Sequence, residues 1–503
     1  MKTDSLITPV STTKDNTERY FDISISHSIL SFLPYNLAIE HLALPLNVDS
    51  SGKLEIIMVC PHDITTIQVL QIFTGMKIKP KECKKEQILK LIAHHYGPQS
   101  EKITRKNIEK ADSRLAINFN DSAINIVNDI VHEAIRLRAS DIHFEPFEMD
   151  MGIRFRIDGV LQEITSIPKK RIPEIISRIK ILSKMNIAEK RRAQDGKIRI
   201  NEQGRDVDIR VSTLPTDFGE KTVLRILDKT SFDYNLQSIG MDPPRLALFK
   251  KAIGMPNGII LLTGPTGSGK STTLYAVINY IRRPGVNIST VEDPIEYNIP
   301  GINQTQVNTA TGMTFANSLR TLLRQDPDII MVGEMRDQET AEIAIRSSLT
   351  GHLVLSTLHT NDAASAVTRL IDMGIEPYLV SSSVTMIIAQ RLVRKICTHC
   401  KCEATVSDEM RKNFGLSETV RLYKGLGCQA CGYTGYRGRT GIFEVLPVSD
   451  NLRTLINKKA YAAEIRNAAI DEGMVLLRDD ALAKLVDGVT TVEEVMREVA
   501  VLA

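Results

Sequence analysis

Apolar and polar positions divide the chain into three regions, and the first of them ends in a charged linker. Residues 54–60 form an apolar run typical of a strand, and residues 86–96 place their apolar side chains at helical spacing. Polar and charged residues dominate from 97 to 112, a pattern that predicts a linker. The sequence therefore predicts a small α/β module, together with its linker, over residues 1–111.

The second region, residues 112–235, changes from helical to strand periodicity. Apolar residues at helical spacing predict an amphipathic helix over 121–138, and a second helix is expected over 171–186. Apolar and charged residues alternate over 153–157, and Asp158-Gly159 is typical of a tight turn between strands. The pattern predicts an α+β domain whose antiparallel sheet has one charged face.

The third region, residues 236–503, alternates apolar strand-like runs with helical segments, as a parallel α/β core does. One apolar run ends in Gly-Pro-Thr-Gly-Ser-Gly-Lys-Ser at 264–271, and a helical segment follows. Glycines let backbone N–H groups surround phosphates, and the N-terminus of a helix favours an anion. Lys270 can reach the β- and γ-phosphates, and the Ser271 hydroxyl can ligate Mg²⁺.

This loop predicts that the chain binds a nucleoside triphosphate together with Mg²⁺. A glycine-rich turn without chemical function is the alternative, but the strand before the loop and the helix after it argue against that interpretation. The residues expected to bind the nucleotide are Gly264, Pro265, Thr266, Gly267, Ser268, Gly269, Lys270, Ser271 and Thr272.

Composition and charge narrow the class of protein. Hydrophobic residues make up 43% and charged residues 24% of the chain, as in a soluble globular protein. The formal net charge of +3 is too small for this length to indicate nucleic-acid binding. No run of about 18 apolar residues suggests a spanning helix, and the N-terminus lacks the apolar core of a signal peptide. We therefore expect a cytoplasmic protein that reaches a membrane only through partners.

Two acidic segments follow the phosphate loop. The apolar run 329–332 leads into Gly333-Glu334, and a strand that ends in an acid is the Walker B pattern, so Glu334 is the candidate for activating water. Glu292, Asp293 and Glu296 follow another short apolar stretch and suggest metal or water positioning. Surface acids at the end of a strand are the alternative interpretation for either segment alone.

One histidine and two arginines are further candidates. His359 lies at the far end of the strand expected over 350–360, where such sheets bind ligands, although a lone histidine is more often structural. Arg210 and Arg225 lie on strands of the preceding domain, from which an arginine can stabilise charge on the γ-phosphate in the transition state. From the residues alone, two solvated strand faces are the simpler interpretation.

Four cysteines form two Cys-x-x-Cys pairs, Cys397 with Cys400 and Cys428 with Cys431. Two such pairs supply the four thiolates of a tetrahedral Zn²⁺ site and leave no position for water, so the predicted role is structural. The metal would fold an insert over 394–443 that has little core of its own. A redox dithiol is the alternative, although one pair would suffice for it.

Several motifs together resemble those of the secretion ATPases of bacterial type II secretion and type IV pilus assembly. The resemblance extends from about 115 to 500. The motifs lie at 139–146, 154–159, 264–271, 291–297, 324–328, 333–334, 350–361, 390–393 and 435–441.

This resemblance implies a RecA-like P-loop ATPase core with a zinc-binding insert held by four cysteines. A smaller α+β, PAS-like domain and an N-terminal α/β docking module would precede it. The resemblance also implies that Arg210 and Arg225 approach the γ-phosphate, which reverses the simpler interpretation. The segments 292–296 and 352–359 would both belong to the nucleotide site. A ring, usually hexameric, would bind ATP between each core and its PAS-like domain, and hydrolysis would move the two domains against each other.

The implied function is the cytoplasmic motor of a type II secretion system, at the cytoplasmic face of the inner membrane. It would power pseudopilus assembly and export across the outer membrane, with its N-terminal module docked on the cytoplasmic domain of an inner-membrane platform protein. A type IV pilus assembly ATPase is the alternative, and the single compact N-terminal module favours type II secretion. A nucleic-acid translocase and a non-hydrolysing scaffold are further alternatives. The low net charge argues against the translocase, and the acidic segments argue against the scaffold.

Overall fold

The computed structural model of the protein describes residues 25–30, 32–33, 35–49, 52–96, 121–202, 204–228 and 235–499. These residues fall into two compact units, one within 25–96 and the other within 121–499. Each unit has hydrophobic clusters of its own. No helix in the described ranges is both long enough and apolar enough to span a bilayer.

The first unit is a three-stranded sheet with helices packed on it. The order is β1-β2-β3, with β1 antiparallel and β3 parallel to the central β2, which is buried along its whole length. The apolar run at 54–60 and the helical pattern at 86–96 are thus confirmed as β2 and α4. The elements are α1 (His27–Leu30), α2 (Tyr35–Glu40), β1 (Ala43–Val48), β2 (Leu54–Met58), α3 (Ile64–Thr74), β3 (Ile78–Glu82) and α4 (Lys85–Tyr96).

The second unit begins with a six-stranded antiparallel sheet in the order β6-β5-β4-β9-β8-β7. Alternation of apolar and charged residues leaves one face charged, as predicted, and helix α5 begins where the Ser122 hydroxyl accepts the Asn125 N–H. The elements are α5 (Ala123–Arg136), β4 (Ala139–Pro146), β5 (Asp150–Ile157), β6 (Val160–Pro168), α6 (Ile172–Leu182), β7 (Gln194–Glu202), β8 (Arg205–Thr216) and β9 (Gly219–Asp228).

A seven-stranded sheet, in the order β12-β11-β13-β14-β10-β15-β18, forms the centre of the second unit and is parallel except for β18. Strand β10 contributes Ile259 and Leu261 to one hydrophobic cluster and Ile260 and Leu262 to another, so both faces of the sheet are covered. Its elements through β14 are α7 (Pro243–Ile253), β10 (Gly258–Thr263), α8 (Lys270–Ile281), β11 (Ile288–Glu292), β12 (Asn303–Gln306), α9 (Phe315–Leu322), β13 (Ile329–Val332), α10 (Gln338–Leu349) and β14 (Leu353–Leu358).

The last two strands of this sheet form a long antiparallel pair that carries the cysteine insert. Pairing extends from Met386↔Pro447 to Ile396↔Tyr436, so the insert lies within 397–435 and is shorter than the expected 394–443. The remaining elements are α11 (Ala363–Asp372), α12 (Pro377–Ser383), β15 (Val384–Ile396), β16 (Lys401–Ala404), α13 (Asp408–Asn413), β17 (Leu422–Gly425), β18 (Tyr436–Pro447), α14 (Asp450–Asn457), α15 (Ala462–Asp471), α16 (Leu477–Val486) and α17 (Val492–Val499). Short 3₁₀ turns occur at Lys169–Arg171, Thr309–Thr311 and Gln429–Cys431.

Candidate active site

The phosphate loop connects the carboxyl end of β10 with the first turn of α8. Gly264 and Gly269 have φ values of +145° and +90°, which L side chains rarely adopt. A Cβ on Gly264 would lie 2.3 Å from the Gln390 carbonyl oxygen, and one on Gly269 would lie 2.8 Å from the Gln390 amide nitrogen. Both positions therefore require glycine, as the loop pattern predicts.

Two side chains of the loop fit a bound phosphate. The Lys270 ammonium donates to the carbonyl oxygens of Gly264 at 2.7 Å and Pro265 at 3.1 Å, so it lies on the inner side of the loop. The buried Ser268 hydroxyl has no hydrogen-bond partner within the described part of the chain. Burial lowers the pKa of Lys270 to about 8, although the Glu334 charge acts in the opposite direction. An anionic ligand would supply the missing partner and favour the charged lysine.

A cavity of about 420 Å³ opens in front of this loop. Its core wall comes from residues 266–272 and from the acidic and histidine segments, including Asp293, Glu296, Glu334 and His359. The opposite wall comes from the six-stranded sheet through Ser140, Arg225, Ile226 and Leu227. The structure thus brings together candidates that lie far apart in the sequence. The carboxyl ends of parallel strands meet at this edge, where such sheets bind their ligands.

Glu334 follows β13 and contacts one arginine and one histidine. Its carboxylate accepts a bond from Arg336 Nη2 and lies 3.3 Å from His359 Nε2. Burial raises the pKa of Glu334, but the Arg336 hydrogen bond and the charges of Arg336 and His359 outweigh it, so the pKa lies below its usual value. The group is therefore a carboxylate at neutral pH, as required of a residue that orients or deprotonates water.

Glu292 borders the same cavity in a different environment. It is only 4% exposed. Its carboxylate accepts hydrogen bonds from Tyr275 Oη, from Thr290 Oγ1 at 2.5 Å and from Gln304 Nε2 at 3.0 Å. Both oxygens are thus engaged by protein donors, whereas the neighbouring Asp293 is exposed.

The two candidate arginines are cross-strand neighbours on β8 and β9, paired in register as Arg210↔Arg225. Arg225 borders the cavity, and its Nε lies 3.1 Å from Asp141 Oδ1. Arg210 Nη2 donates to the Ile295 carbonyl oxygen at 2.9 Å, and Nη1 lies 3.8 Å from Glu296. The interpretation of two merely solvated strand faces is therefore wrong for Arg210, which contacts the acidic segment of the core.

Sequence reasoning missed several residues of this site. Arg336, two positions after Glu334, binds its carboxylate, and Arg439 borders the cavity from β18. Arg439 Nε lies 4.0 Å from Asp158, whose carboxylate also accepts the Gly438 N–H at 2.8 Å. A signal was present for Arg439, because it lies within the 435–441 motif. No sequence signal indicated that Tyr275 would bind Glu292.

The four cysteines lie together at the base of the β15–β18 pair. Sγ–Sγ distances are 3.8 Å for Cys397–Cys428, 3.9 Å for Cys400–Cys431 and 3.8 Å for Cys428–Cys431. A tetrahedral Zn²⁺ with Zn–S bonds of about 2.3 Å has S···S edges of about 3.8 Å, so the cluster fits this ion. Burial raises the pKa of Cys431, but the backbone N–H groups of Cys428 and Gly435 outweigh it and lower the pKa to about 7. The cluster contains neither His399 nor Cys402.

Comparison with known families identifies the chain. Residues 119–497 match the family model described as Type II/IV secretion system protein, and residues 19–102 match the MshEN domain. The chain belongs to the type II/IV secretion system protein family. With the phosphate loop and the carboxylate facing it, this membership makes the protein a secretion ATPase, and the predicted family and enzyme class are confirmed.

Similar proteins carry names from both branches of this family. The type II secretion system ATPase E of Vibrio cholerae is 52% identical over 376 residues, 74% of this chain and 75% of its own. The type II secretion system protein E of Dickeya dadantii is 44% identical and covers 92% of this chain and 96% of its own. The type IV pilus assembly ATPase PilB of Myxococcus xanthus is 43% identical and covers 95% of this chain and 88% of its own.

Solved structures support the predicted fold. The Legionella pneumophila ATPase DotB, at 22% identity, superposes with a TM-score of 0.56 over 76% of this chain and 96% of its own. The pilus retraction motor PilT, solved with bound ADP, is 27% identical with a TM-score of 0.50 over 74% of this chain and 96% of its own. The α/β class with a RecA-like ATPase core is therefore confirmed.

Proposed function

We propose that this protein is the ATP-hydrolysing motor of a type II secretion system and powers pseudopilus assembly and thereby protein export across the outer membrane. The observation that carries the proposal is the cavity whose walls come from the phosphate loop and from the arginine-bearing sheet. A type II relative, the type II secretion system ATPase E of Vibrio cholerae, is 52% identical over 376 residues.

In this proposal the residues divide the work of phosphoryl transfer. Backbone N–H groups of the loop 264–272 bind the ATP phosphates, and Lys270 neutralises the β- and γ-phosphates. Ser271 would ligate Mg²⁺, which would supply further charge neutralisation when bound. Glu334 orients and deprotonates the attacking water, because its carboxylate is ionised and faces the cavity. The proposed catalytic set also contains Arg210, Arg225, Glu292, Asp293, Glu296 and His359.

Within this set the roles of the acids and the arginines differ. Asp293 and Glu296 position water or the metal at the cavity wall. Glu292 supports these two residues by holding the segment in place, because both of its oxygens accept hydrogen bonds from protein side chains. Arg225 and Arg210 stabilise the charge that develops on the γ-phosphate. His359 contacts the γ-phosphate and also lies beside Glu334, with its Nε2 3.3 Å from the carboxylate.

The cysteine cluster is proposed to hold one structural Zn²⁺. Cys397, Cys400, Cys428 and Cys431 would bind it, and their sulfur spacing supports this assignment. The ion would stabilise the fold of the insert and leave catalysis to the nucleotide site.

The mechanical cycle is proposed to use three domains in a hexameric ring. ATP binds between the α+β domain 112–235 and the ATPase domain 236–503, and hydrolysis changes their mutual orientation. The N-terminal module, residues 1–111, docks on the cytoplasmic domain of an inner-membrane platform protein. The motor is thus cytoplasmic and peripheral to the inner membrane.

A type IV pilus assembly ATPase is the second candidate. The Myxococcus xanthus PilB relative aligns over 499 residues, almost the whole chain, at 43% identity. The Dickeya dadantii type II relative aligns over 482 residues at 44% identity. Near-full-length alignment therefore supports both branches about equally. The 52% identity of a type II relative over 376 residues is the observation that favours type II secretion.

Deletion of the gene in its native host, followed by complementation, tests the proposal. The wild-type gene should restore export of a type II substrate, and Lys270→Ala should fail because the lysine no longer neutralises the phosphates. Lys251→Ala, which removes an exposed lysine of α7, serves as the matched control and should restore export. Restoration of surface pili without export would instead support the second candidate, and export with Lys270→Ala would overturn the site assignment.

A further inference from the structure

The side chain of Tyr275 connects the phosphate-loop helix with the acidic segment. Tyr275 lies in the second turn of α8, is only 2% exposed and packs its ring edge-on against Tyr297, with the ring centroids 6.1 Å apart. Its hydroxyl donates to the Glu292 carboxylate and accepts the backbone N–H of Glu296 at 3.2 Å. One buried hydroxyl thus holds both ends of the segment 292–296.

A second side chain holds the same segment from the other side. Gln304 Nε2 donates to Glu292 Oε1 at 3.0 Å and to the Tyr297 carbonyl oxygen at 2.9 Å, while its Oε1 accepts the Ile299 N–H at 2.7 Å. Glu292 therefore lies at the centre of a buried network that reaches from α8 to β12. Because every bond is made inside the protein, the acidic segment has a defined position.

The position of this segment determines where the groups that contact the six-stranded sheet lie. Arg210 of β8 donates to the Ile295 carbonyl oxygen at 2.9 Å and lies 3.8 Å from Glu296. Both contacts are made with the stretch that Tyr275 holds through the Glu296 N–H. A shift of this stretch would therefore move the groups that Arg210 contacts.

We propose that Tyr275 is a positioning residue for ATP hydrolysis, which holds the acidic segment 292–296 on the phosphate-loop helix and thereby places Arg210 at the nucleotide site. The inference rests on the proposed function, in which Arg210 acts on the γ-phosphate. Tyr275 itself does not take part in the chemistry. It fixes the distance between the loop that binds the phosphates and the domain that supplies the arginine.

Steady-state ATP hydrolysis by the full-length Tyr275→Phe variant tests this inference. The phenyl ring retains the packing, but one Glu292 oxygen loses a donor and the Glu296 N–H loses its acceptor. We expect kcat to fall about 10- to 100-fold, as misplacement of a catalytic group does, with KM for ATP changed less than about twofold. Tyr280→Phe is the matched control, because it removes the hydroxyl of a half-exposed tyrosine on the same helix and should leave kcat unchanged. A normal kcat for Tyr275→Phe, or a change in KM alone, would overturn the proposal.

Combination with Arg210→Ala separates positioning from general loosening of the fold. If Tyr275 acts through Arg210, the kcat of the double variant should be about that of the less active single variant. If the two residues act independently, the two reductions in kcat should multiply, and that result would contradict the proposal. Should Tyr275→Phe unfold, Gln304→Met removes the other side chain that holds the segment, and it should lower kcat by a similar factor; a normal kcat in that variant would contradict the proposal. ATP turnover by the wild type and its loss in Lys270→Ala are measured first. Absence of wild-type turnover would contradict the proposed function, whereas normal turnover by Tyr275→Phe would contradict only this inference.

Discussion

Glu334 follows strand β13 and Glu292 is the last residue of strand β11, so both lie at the nucleotide cavity, but their neighbours give them different properties. Arg336 and His359 contact Glu334 and lower its pKa, so Glu334 remains charged at the cavity wall. Two hydroxyls and an amide face Glu292 and use both of its oxygens. At the scale of single residues, the donors around each carboxylate therefore decide whether it is available to water.

The first prediction concerns Glu334. Glu334→Gln should bind ATP within a few-fold of the wild-type affinity but reduce kcat by about 10²- to 10⁴-fold, because the amide cannot accept a proton from water. Nucleotide affinity by titration calorimetry and phosphate release by a coupled assay measure the two quantities separately. Glu376→Gln, at an exposed glutamate whose side chain makes no cap bond, is the control and should behave as the wild type. Retained turnover would remove Glu334 from its proposed role.

The second prediction concerns the pH dependence of stability through Glu444, which is 2% exposed. Burial raises the pKa of Glu444 above 4.5, although the Ala363 N–H, which it accepts at 2.9 Å, opposes the shift. A carboxyl whose pKa is raised on folding stabilises the fold at low pH, and this contribution is lost as the pH rises through the folded-state value. Glu444→Gln retains the acceptor without the charge.

The free energy of unfolding of Glu444→Gln should therefore increase relative to the wild type as the pH rises from about 4 to 8. Denaturant unfolding at several pH values measures the difference. Curves that stay parallel over this range would show that the Glu444 charge carries no cost in the folded protein.

At the scale of elements, the β15–β18 pair supports the cysteine insert and is itself held by the last helix. Arg394 on β15 stacks on the Tyr436 ring at 3.9 Å and donates to the Glu494 carboxylate of α17 at 2.6 Å. Thr491 Oγ1 accepts the Glu494 N–H at 3.3 Å, which is half of a capping box. In a capping box the glutamate side chain would accept the backbone N–H of the first residue. Here the Glu494 carboxylate instead accepts hydrogen bonds from Arg394 of β15 and from Arg497, so a contact between elements takes the place of that second bond.

The third prediction concerns the insert. Purified protein should contain about one Zn²⁺ per chain, and Cys428→Ser should lose it, because three thiolates hold the ion less tightly than four. Amide hydrogen exchange within 397–435 should then become faster, while exchange in β10 stays unchanged. Cys402→Ser, on β16 but outside the cluster, is the matched control and should retain the metal. A metal-free wild-type protein whose insert is fully protected would contradict the assignment.

At the scale of the whole molecule, the side of the nucleotide site that carries Arg225 and Arg336 is exposed. The side chains of Arg225 and Arg336 are 61% and 63% exposed. Each is paired with a carboxylate of its own domain, Arg225 with Asp141 and Arg336 with Glu334. A site that excludes water around the γ-phosphate needs closure of this side, which the proposed ring would provide through movement of the domains.

The fourth prediction follows from this geometry. ATP turnover per chain should rise with protein concentration, in proportion to the oligomer fraction measured by sedimentation velocity. Lys270→Ala should assemble to the same extent without turnover, because it changes the phosphate site and leaves the surface intact. Equal turnover per chain in isolated subunits and in oligomers would contradict the proposed role of the ring.

Features that depend on neighbouring residues in the chain could be predicted from the sequence. The phosphate loop is one of them, because glycine spacing, the preceding strand and the following helix lie within some twenty residues and each constrains the backbone locally. The charged face of the six-stranded sheet is another, because side chains of a strand alternate between its two faces. Each Cys-x-x-Cys pair could also be predicted to bind metal, because the spacing of its two cysteines is a local feature of the sequence.

Contacts between distant segments were decided only by the tertiary structure. The sequence could not show that Arg210 lies against Ile295, that Tyr275 donates to Glu292, or that Arg439 joins the cavity from the last strand. The sequence by itself determined the conformation of the phosphate loop and the types of residue that could surround it. The packing of the two sheets decided which of those residues meet, because burial and hydrogen bonding across long separations depend on the whole fold rather than on neighbours in sequence.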